Sequence, residues 1–323
     1  MDNSISSSEK KTKKLSVIRL LGTIVSSGML VYLMAREWQD ILTAVRQLEL
    51  STLVAISLLT IFSRVCILLR WHILLRSAGA AISINQSARL FLAGLFSSNF
   101  LPTTIGGDLV RFAGLVRFKI TPTISAGSLV MDRLVGMAGM VSLLPVGLVQ
   151  FFSVPLPNVH TDSLPNSELE AVSIVGILGY IREKTRKVLD SVWHSVGLWT
   201  SHPSSLLFSF IFTCVHMLCL IMTLWILFSS LHDPVAYWVI GGLWSMSYFF
   251  TLLPFSINGL GLQELSLTFL FVNYAGAELN NVVVVALAIR VLQTLVSLPG
   301  AFCLPGLIQP NKKETNGQER NGF

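Results

Sequence analysis

The chain has 323 residues, 52% of them hydrophobic and only 12% charged, with a mean hydropathy of +0.68. A soluble domain carries about 25% charged residues, so the composition excludes an ordinary soluble enzyme and indicates a polytopic membrane protein. The net charge of +6 could suit nucleic acid, but the excess arginines lie within or beside apolar runs. That distribution fits positive-inside anchoring and anionic headgroups and argues against a nucleic-acid partner.

Residues 1–14 form a polar tail ending in Lys10, Lys11, Lys13 and Lys14. The uncharged run 20–35 lacks a small-x-small cleavage site, so it reads as a retained first span with a cytoplasmic N-terminus. A second span is expected over 50–69 with Arg64 inside it, leaving the membrane at an interfacial pairing of Arg70-Trp71 and Arg76. The uncharged run 90–107 is cut by Pro102 and loosened by Gly106 and Gly107, which suggests a half-helix, a turn and a second short helix from Leu109. A long span follows over 123–152, then a loop at 153–170 without Lys or Arg, placed outside by its lack of cations. Residues 171–181 are too few to cross a core about 30 Å thick unaided. Residues 181–200 have the periodicity of a basic amphipathic surface helix. Further spans are expected at 206–229, 234–253 and 281–305, with a shorter apolar stretch at 265–277. The fold class is therefore all-α integral membrane, with about seven or eight transmembrane helices and two re-entrant or broken ones. The membrane region covers 15–308, with repeat halves near 50–152 and 204–308, and a polar tail covers 309–323. The four cysteines lie in apolar segments without metal or redox spacing and read as small buried hydrophobes.

Two stretches interrupt the apolar pattern in the same way. The first runs Asn99-Phe100-Leu101-Pro102-Thr103-Thr104-Ile105-Gly106-Gly107-Asp108 and reaches Arg111. The second runs Leu253-Pro254-Phe255-Ser256-Ile257-Asn258-Gly259-Leu260-Gly261-Leu262-Gln263-Glu264. Each has Leu-Pro, paired glycines, then a carboxylate, and each is followed by an arginine in an apolar run, Arg133 and Arg290 respectively. Broken backbone in hydrocarbon leaves unpaired N–H and C=O groups at several kcal/mol each, so it is tolerated only where it is buried in protein or lines a wet cavity. Two broken segments in matching positions point to an inverted repeat with a transporter-type binding site.

Ionisable residues inside spans reinforce this, since each costs at least about 2.5 kcal/mol at mid-membrane. Arg64, Arg89, Asp108, Arg111, Asp132, Arg133, Glu264 and Arg290 make five positive and three negative charges, a net cationic set. Arginine grips phosphate through a planar fork and keeps its proton, so the chamber suits an anionic headgroup, a phosphodiester or a pyrophosphate. The competing reading is mutual pairing, most directly between Asp108 and Arg111 three residues apart. Trp71, Trp193 and Trp199 read as interface anchors, His72 and His194 as interfacial, and His216 as a core residue. No phosphate-binding loop, nucleophile elbow or zinc-type His/Glu pair occurs in the chain.

Arg70-Trp71 with Leu74-Leu75, the Asn99 to Arg111 element, Asp132-Arg133 and the Pro254 to Glu264 element together resemble the flippase-like transmembrane domain. This is the membrane region of bacterial lysylphosphatidylglycerol synthases, which also occurs free-standing. The resemblance implies a multi-span fold with re-entrant helices, linked in multidomain members to moving a phospholipid across the bilayer. It also implies that Asp108, Arg111, Asp132, Arg133, Glu264 and Arg290 line the lipid pathway. No aminoacyltransferase segment accompanies them here, so lysinylation is not expected.

The expected function is translocation of an anionic phospholipid or polyprenyl-phosphate-linked lipid between leaflets, by a transporter rather than an enzyme and without cofactor or metal. The expected substrate-binding set is Arg64, Asn99, Pro102, Gly106, Gly107, Asp108, Arg111, Asp132, Arg133, Pro254, Asn258, Gly259, Gly261, Glu264 and Arg290. The expected partners are the bilayer and that lipid, with homo-oligomerisation left open, and the expected location is the cell membrane. The rivals are an integral membrane transferase using Asp108 or Glu264 as general base and a non-catalytic scaffold.

Overall fold

The computed structural model describes residues 49–99, 106–153, 203–252 and 261–304, together with Gly28, Tyr32, Ala35, Gln39, Arg46, Gly197 and Trp199. The expected first span, the short stretch 171–181 and the amphipathic segment 181–200 lie outside these residues, apart from the isolated positions. All regular structure among the described residues is helical. In chain order the helices are α1 (Leu50–Ser77), α2 (Ile84–Ser98), α3 (Gly106–Arg117), α4 (Pro122–Ser153), α5 (Pro203–Ser230), α6 (Tyr237–Leu252), α7 (Leu262–Ala275), α8 (Leu279–Ser297) and the single turn α9 (Gly300–Cys303).

Among the described residues four stretches are long and apolar enough to cross a membrane: α1, α4, α5 and the α8–α9 run Leu279–Cys303. Between α1 and α4, and again between α5 and α8, lie two short helices. At 1.5 Å rise per residue, α2 and α3 reach only about 22 and 18 Å, and α6 and α7 about 24 and 21 Å. Over the described residues none matches a hydrocarbon core of about 30 Å. The span expected over 234–253 corresponds to α6, Tyr237–Leu252, which runs up to the last described residue before 261. The second span is corrected. Helix α1 continues past residue 69 to Ser77 and draws Arg70 and Trp71 into the interior, 6% and 0% exposed.

Local chemistry sets these boundaries. Ser83 caps α2, accepting from the Gln86 N–H while the Gln86 side chain accepts from the Ser83 N–H, a capping box. Pro122 and Pro203 open α4 and α5, where a missing N–H costs nothing. Gly261, just before α7, sits at φ 74°, a conformation that suits glycine.

Helices α1 and α5 pack antiparallel along their length. Thr52 meets Ser230 at 3.3 Å, Ser63 meets His216 Nδ1 at 2.5 Å, and Arg70 donates to Thr213 at 3.2 Å. The larger core cluster joins α5, α6, α7 and α8 through residues such as Leu227, Phe228, Leu243, Phe271 and Val284. A smaller one joins α1, α2 and α3 through Trp71, Leu75, Leu90, Phe91 and Leu115. Outward faces stay apolar: Leu58, Ile61, Phe62 and Val65 on α1 are all more than 40% exposed, a helical stripe suited to lipid. Trp199, expected as an interface anchor, is instead fully buried and donates its indole N–H to the Leu74 carbonyl at 3.0 Å.

Small residues let the short helices approach closely. Helices α4 and α6 cross at Gly147 and Gly242, where a Cβ on either would strike the other's backbone. Gly242→Ala is therefore expected to force the helices apart at a cost of about 1–3 kcal/mol. Thermal unfolding in detergent checks this, and an unchanged midpoint would mean the crossing tolerates the extra methyl.

Candidate functional site: a buried charge network

The hairpin α2–α3 brings the first set of charges together. It is held by backbone contact, since a Cβ on Gly107 would lie 2.5 Å from the Gly94 carbonyl oxygen. Gly106 and Gly107 are buried at the start of α3, which places Asp108 in its first turn, where the helix dipole favours a carboxylate. Gly94 in turn leaves room for Arg111, whose Cγ would be 2.8 Å from a Cβ there. Asn99, at the end of α2, donates to Ser297 Oγ at 2.7 Å and so ties the hairpin to the end of α8.

Five charges then form one chain. Arg70 on α1 grips Asp132 on α4, with Nε and Nη2 each 2.7 Å from Oδ1. The other Asp132 oxygen faces Arg111 Nη1 at 3.5 Å, and Arg111 also lies 3.6 Å from Asp108. Asp108 is held by Arg133, Nε donating to Oδ2 at 2.6 Å. Three arginines against two carboxylates leave this network one positive charge in excess. Its inner members are sealed: Arg70, Arg111 and Asp132 are each 6% exposed. Its outer end is open, with the Arg133 side chain 43% exposed. The Arg111 guanidinium also lies 4.8 Å from the Trp71 ring centre and 4.5 Å from that of Phe91, favourable cation–π contacts.

A second pair occupies the corresponding place on α7 and α8. Arg290 donates from Nε to Glu264 Oε1 at 2.6 Å, with Nη2 also at 2.6 Å. Glu264 is the third residue of α7, as Asp108 is the third of α3. Its arginine follows 26 residues on, against 25 for Asp108 and Arg133. Glu264 is 3% exposed, and its Oε2 is buried without a hydrogen-bond partner among the described residues.

Of the expected site residues, Asp108, Arg111, Asp132 and Arg133 are thus in one network, and Glu264 and Arg290 form a second pair. Asn99, Gly106, Gly107 and Gly261 shape the helix ends beside them. Pro102, Pro254, Asn258 and Gly259 lie outside the described residues. Arg64 is in neither group and makes no ion pair or hydrogen bond among the described residues. Residue-by-residue reading missed Arg70, taken for an interfacial cation. The signal was present: Ile73, Leu74 and Leu75 continue the apolar run beyond it, so Arg70 needs a buried partner rather than water. It also missed Gly136, one turn beyond Asp132, where a Cβ would press to 3.2 Å from Arg70 Nη1.

The profile of the lysylphosphatidylglycerol synthase TM region matches residues 19–300. The chain belongs to that family. The match takes in every described helix from α1 to α8 and both charge groups, so the buried network lies within the family's membrane domain. A search of curated proteins finds no match to the chain.

Proposed function

We propose that the protein moves an anionic lipid between leaflets as a transporter rather than an enzyme, with its two hairpins as re-entrant elements of an inverted repeat. The observation that carries this reading is the matched placement of Asp108–Arg133 and Glu264–Arg290, each an acid in the first turn of the second short helix bonded to an arginine on the next long one. The antiparallel pairing of α1 with α5 supports inverted halves. The hairpin helices, each shorter than the hydrocarbon core over the described residues, support entry and return from one side. In this reading the carboxylates hold the arginines until a headgroup phosphate competes for the same forks. Arg133 supports a wet chamber, since an arginine this exposed at membrane depth must face water. The lipid is an anionic phospholipid or a polyprenyl-phosphate carrier, and the location is the cell membrane with the N-terminus inside.

The test is a leaflet assay with purified protein in vesicles containing a fluorescent phosphatidylglycerol. Wild type is expected to expose the inner-leaflet probe without altering its mass. Arg133→Ala is expected to slow exchange at least about tenfold, the loss of one charge-assisted contact, while leaving stability within about 1 kcal/mol because the pair is partly exposed. Wild-type exchange equal to that of protein-free vesicles would end the reading, and a product of new mass would favour a transferase.

A further inference from the structure

Helices α1, α2 and α8 enclose a groove of about 460 Å³, a volume typical of small-molecule sites. Its walls are apolar, formed by Ile61, Val65, Leu68, Phe91, Leu292 and Leu295, and the one charge in its lining is Arg64. The groove opens outward, because Ile61, Val65 and Leu295 are 48%, 41% and 54% exposed on the lipid-facing surface. Arg64 is the fifteenth of the 28 residues of α1 and so sits near the middle of a span, where a charge is costly and marks a ligand path. Arg70, Arg111, Arg133 and Arg290 all have carboxylates at ion-pair distance, whereas Arg64 has none among the described residues. Arg64 also lines a second cavity of about 20 Å³, large enough for one water, where Ser63, His216 and Gln293 meet a mostly apolar wall of Leu220, Ile289 and Leu292.

One guanidinium thus borders both an apolar groove open to lipid and a second, much smaller cavity. Inorganic phosphate has no use for the groove, and an uncharged hydrocarbon has none for the arginine. The occupant that uses both is an amphiphile with an anion at one end. We propose that this groove binds an anionic phospholipid from the bilayer, its phosphate on Arg64 and one acyl chain along Val65, Leu292 and Leu295. The proposal rests on the transport reading for its purpose, and it names the groove as the lateral station of the moving lipid. It also assigns anion binding to an arginine inside a span that has no carboxylate at ion-pair distance among the described residues and so need not break an ion pair first.

The experiment uses full-length protein in phosphatidylcholine vesicles doped with phosphatidylglycerol carrying a diazirine on one acyl chain, with crosslinks mapped by mass spectrometry. Labels are expected on α1, α2 and α8. Arg64→Ala should cut labelling about tenfold and Arg64→Lys should retain most of it, as expected for a charge-assisted contact. Leu292→Trp, which fills the groove and keeps the charge, should also cut it. Unlabelled phosphatidylglycerol should compete, whereas inorganic phosphate should not. Labels confined to other helices, or unchanged labelling in both Arg64→Ala and Leu292→Trp, would overturn the proposal. Oleate competing as well as phosphatidylglycerol would overturn the assignment to phospholipid. Leaflet exchange read in the same vesicles separates the two ideas. Exchange without groove labelling removes this site and keeps transport, and labelling without exchange keeps the site and removes transport.

Discussion

Asp132→Ala is expected to be the most damaging single substitution in the charge network, lowering stability by about 3–5 kcal/mol. Asp132 is the only carboxylate at ion-pair distance from Arg70 among the described residues, and it takes the nearer of the two contacts made by Arg111. Its removal leaves Arg70 with the Thr213 hydroxyl and Arg111 with Asp108 at 3.6 Å, both guanidiniums remaining buried. An uncompensated charge in a dry interior is far costlier than a lost hydrogen bond. Asp132→Asn is expected to fall between the two, since its amide oxygen still accepts from Arg70 Nε without neutralising it. Arg70→Met should be milder than Asp132→Ala, because Asp132 keeps Arg111. The double variant Arg70→Met with Asp132→Ala should cost less than the sum of the singles, the mark of directly coupled groups. Denaturant unfolding in detergent measures all four. Asp132→Ala within about 1 kcal/mol of wild type would mean that water reaches the network and screens it.

The second large effect separates the two matched pairs. Glu264→Ala is expected to cost about 3–5 kcal/mol, because the acid is 3% exposed and its loss removes the carboxylate held at 2.6 Å by Arg290, whose side chain is 23% exposed. Asp108→Ala is expected to cost about 1 kcal/mol or less from its bond to Arg133, whose side chain is 43% exposed. Arg111 retains Asp132 in that variant. The two acid–arginine pairs would then behave unequally: the first is partly exposed, and the second is part of the packed interior. The same unfolding series with Glu264→Gln distinguishes charge from volume, since glutamine keeps the shape and an oxygen acceptor toward Arg290. Equal losses for Glu264→Ala and Asp108→Ala would show that burial does not set the difference.

The unequal burial bears on which arginine meets the lipid first. Arg111 is buried under two aromatic rings and two carboxylates, so Arg111→Ala disturbs packing as well as charge and is a poor probe of transport. Arg133 and Arg64 are better probes. One is partly exposed with a strong partner, and the other has no carboxylate among the described residues.

Composition and the period of the apolar runs were enough to identify a helical membrane protein. The long helices α1, α4 and α5 could be placed within a few residues except at the end of α1, because hydrocarbon demands backbone bonds made inside each segment. The acids Asp108 and Glu264, and their arginines 25 and 26 residues on, were also visible, since charges in an apolar run stand out at any spacing. The partners were not visible. Asp108 and Arg111 looked paired by spacing, yet the shorter bond from Asp108 goes to Arg133 on another helix. Asp132 turned out to hold Arg70, 62 residues away. Ion-pair choice depends on which helix faces meet, and glycines such as Gly94, Gly107 and Gly136 decide that by letting backbones and guanidiniums approach. The end of α1 was misplaced for the same reason, as an arginine terminates a span only if no buried carboxylate receives it. Sequence alone determined the solvent, the helices and the inventory of charges. Tertiary packing decided which charges cancel and set Arg64 against a groove with no carboxylate at ion-pair distance among the described residues, because pairing is a matter of distance in space.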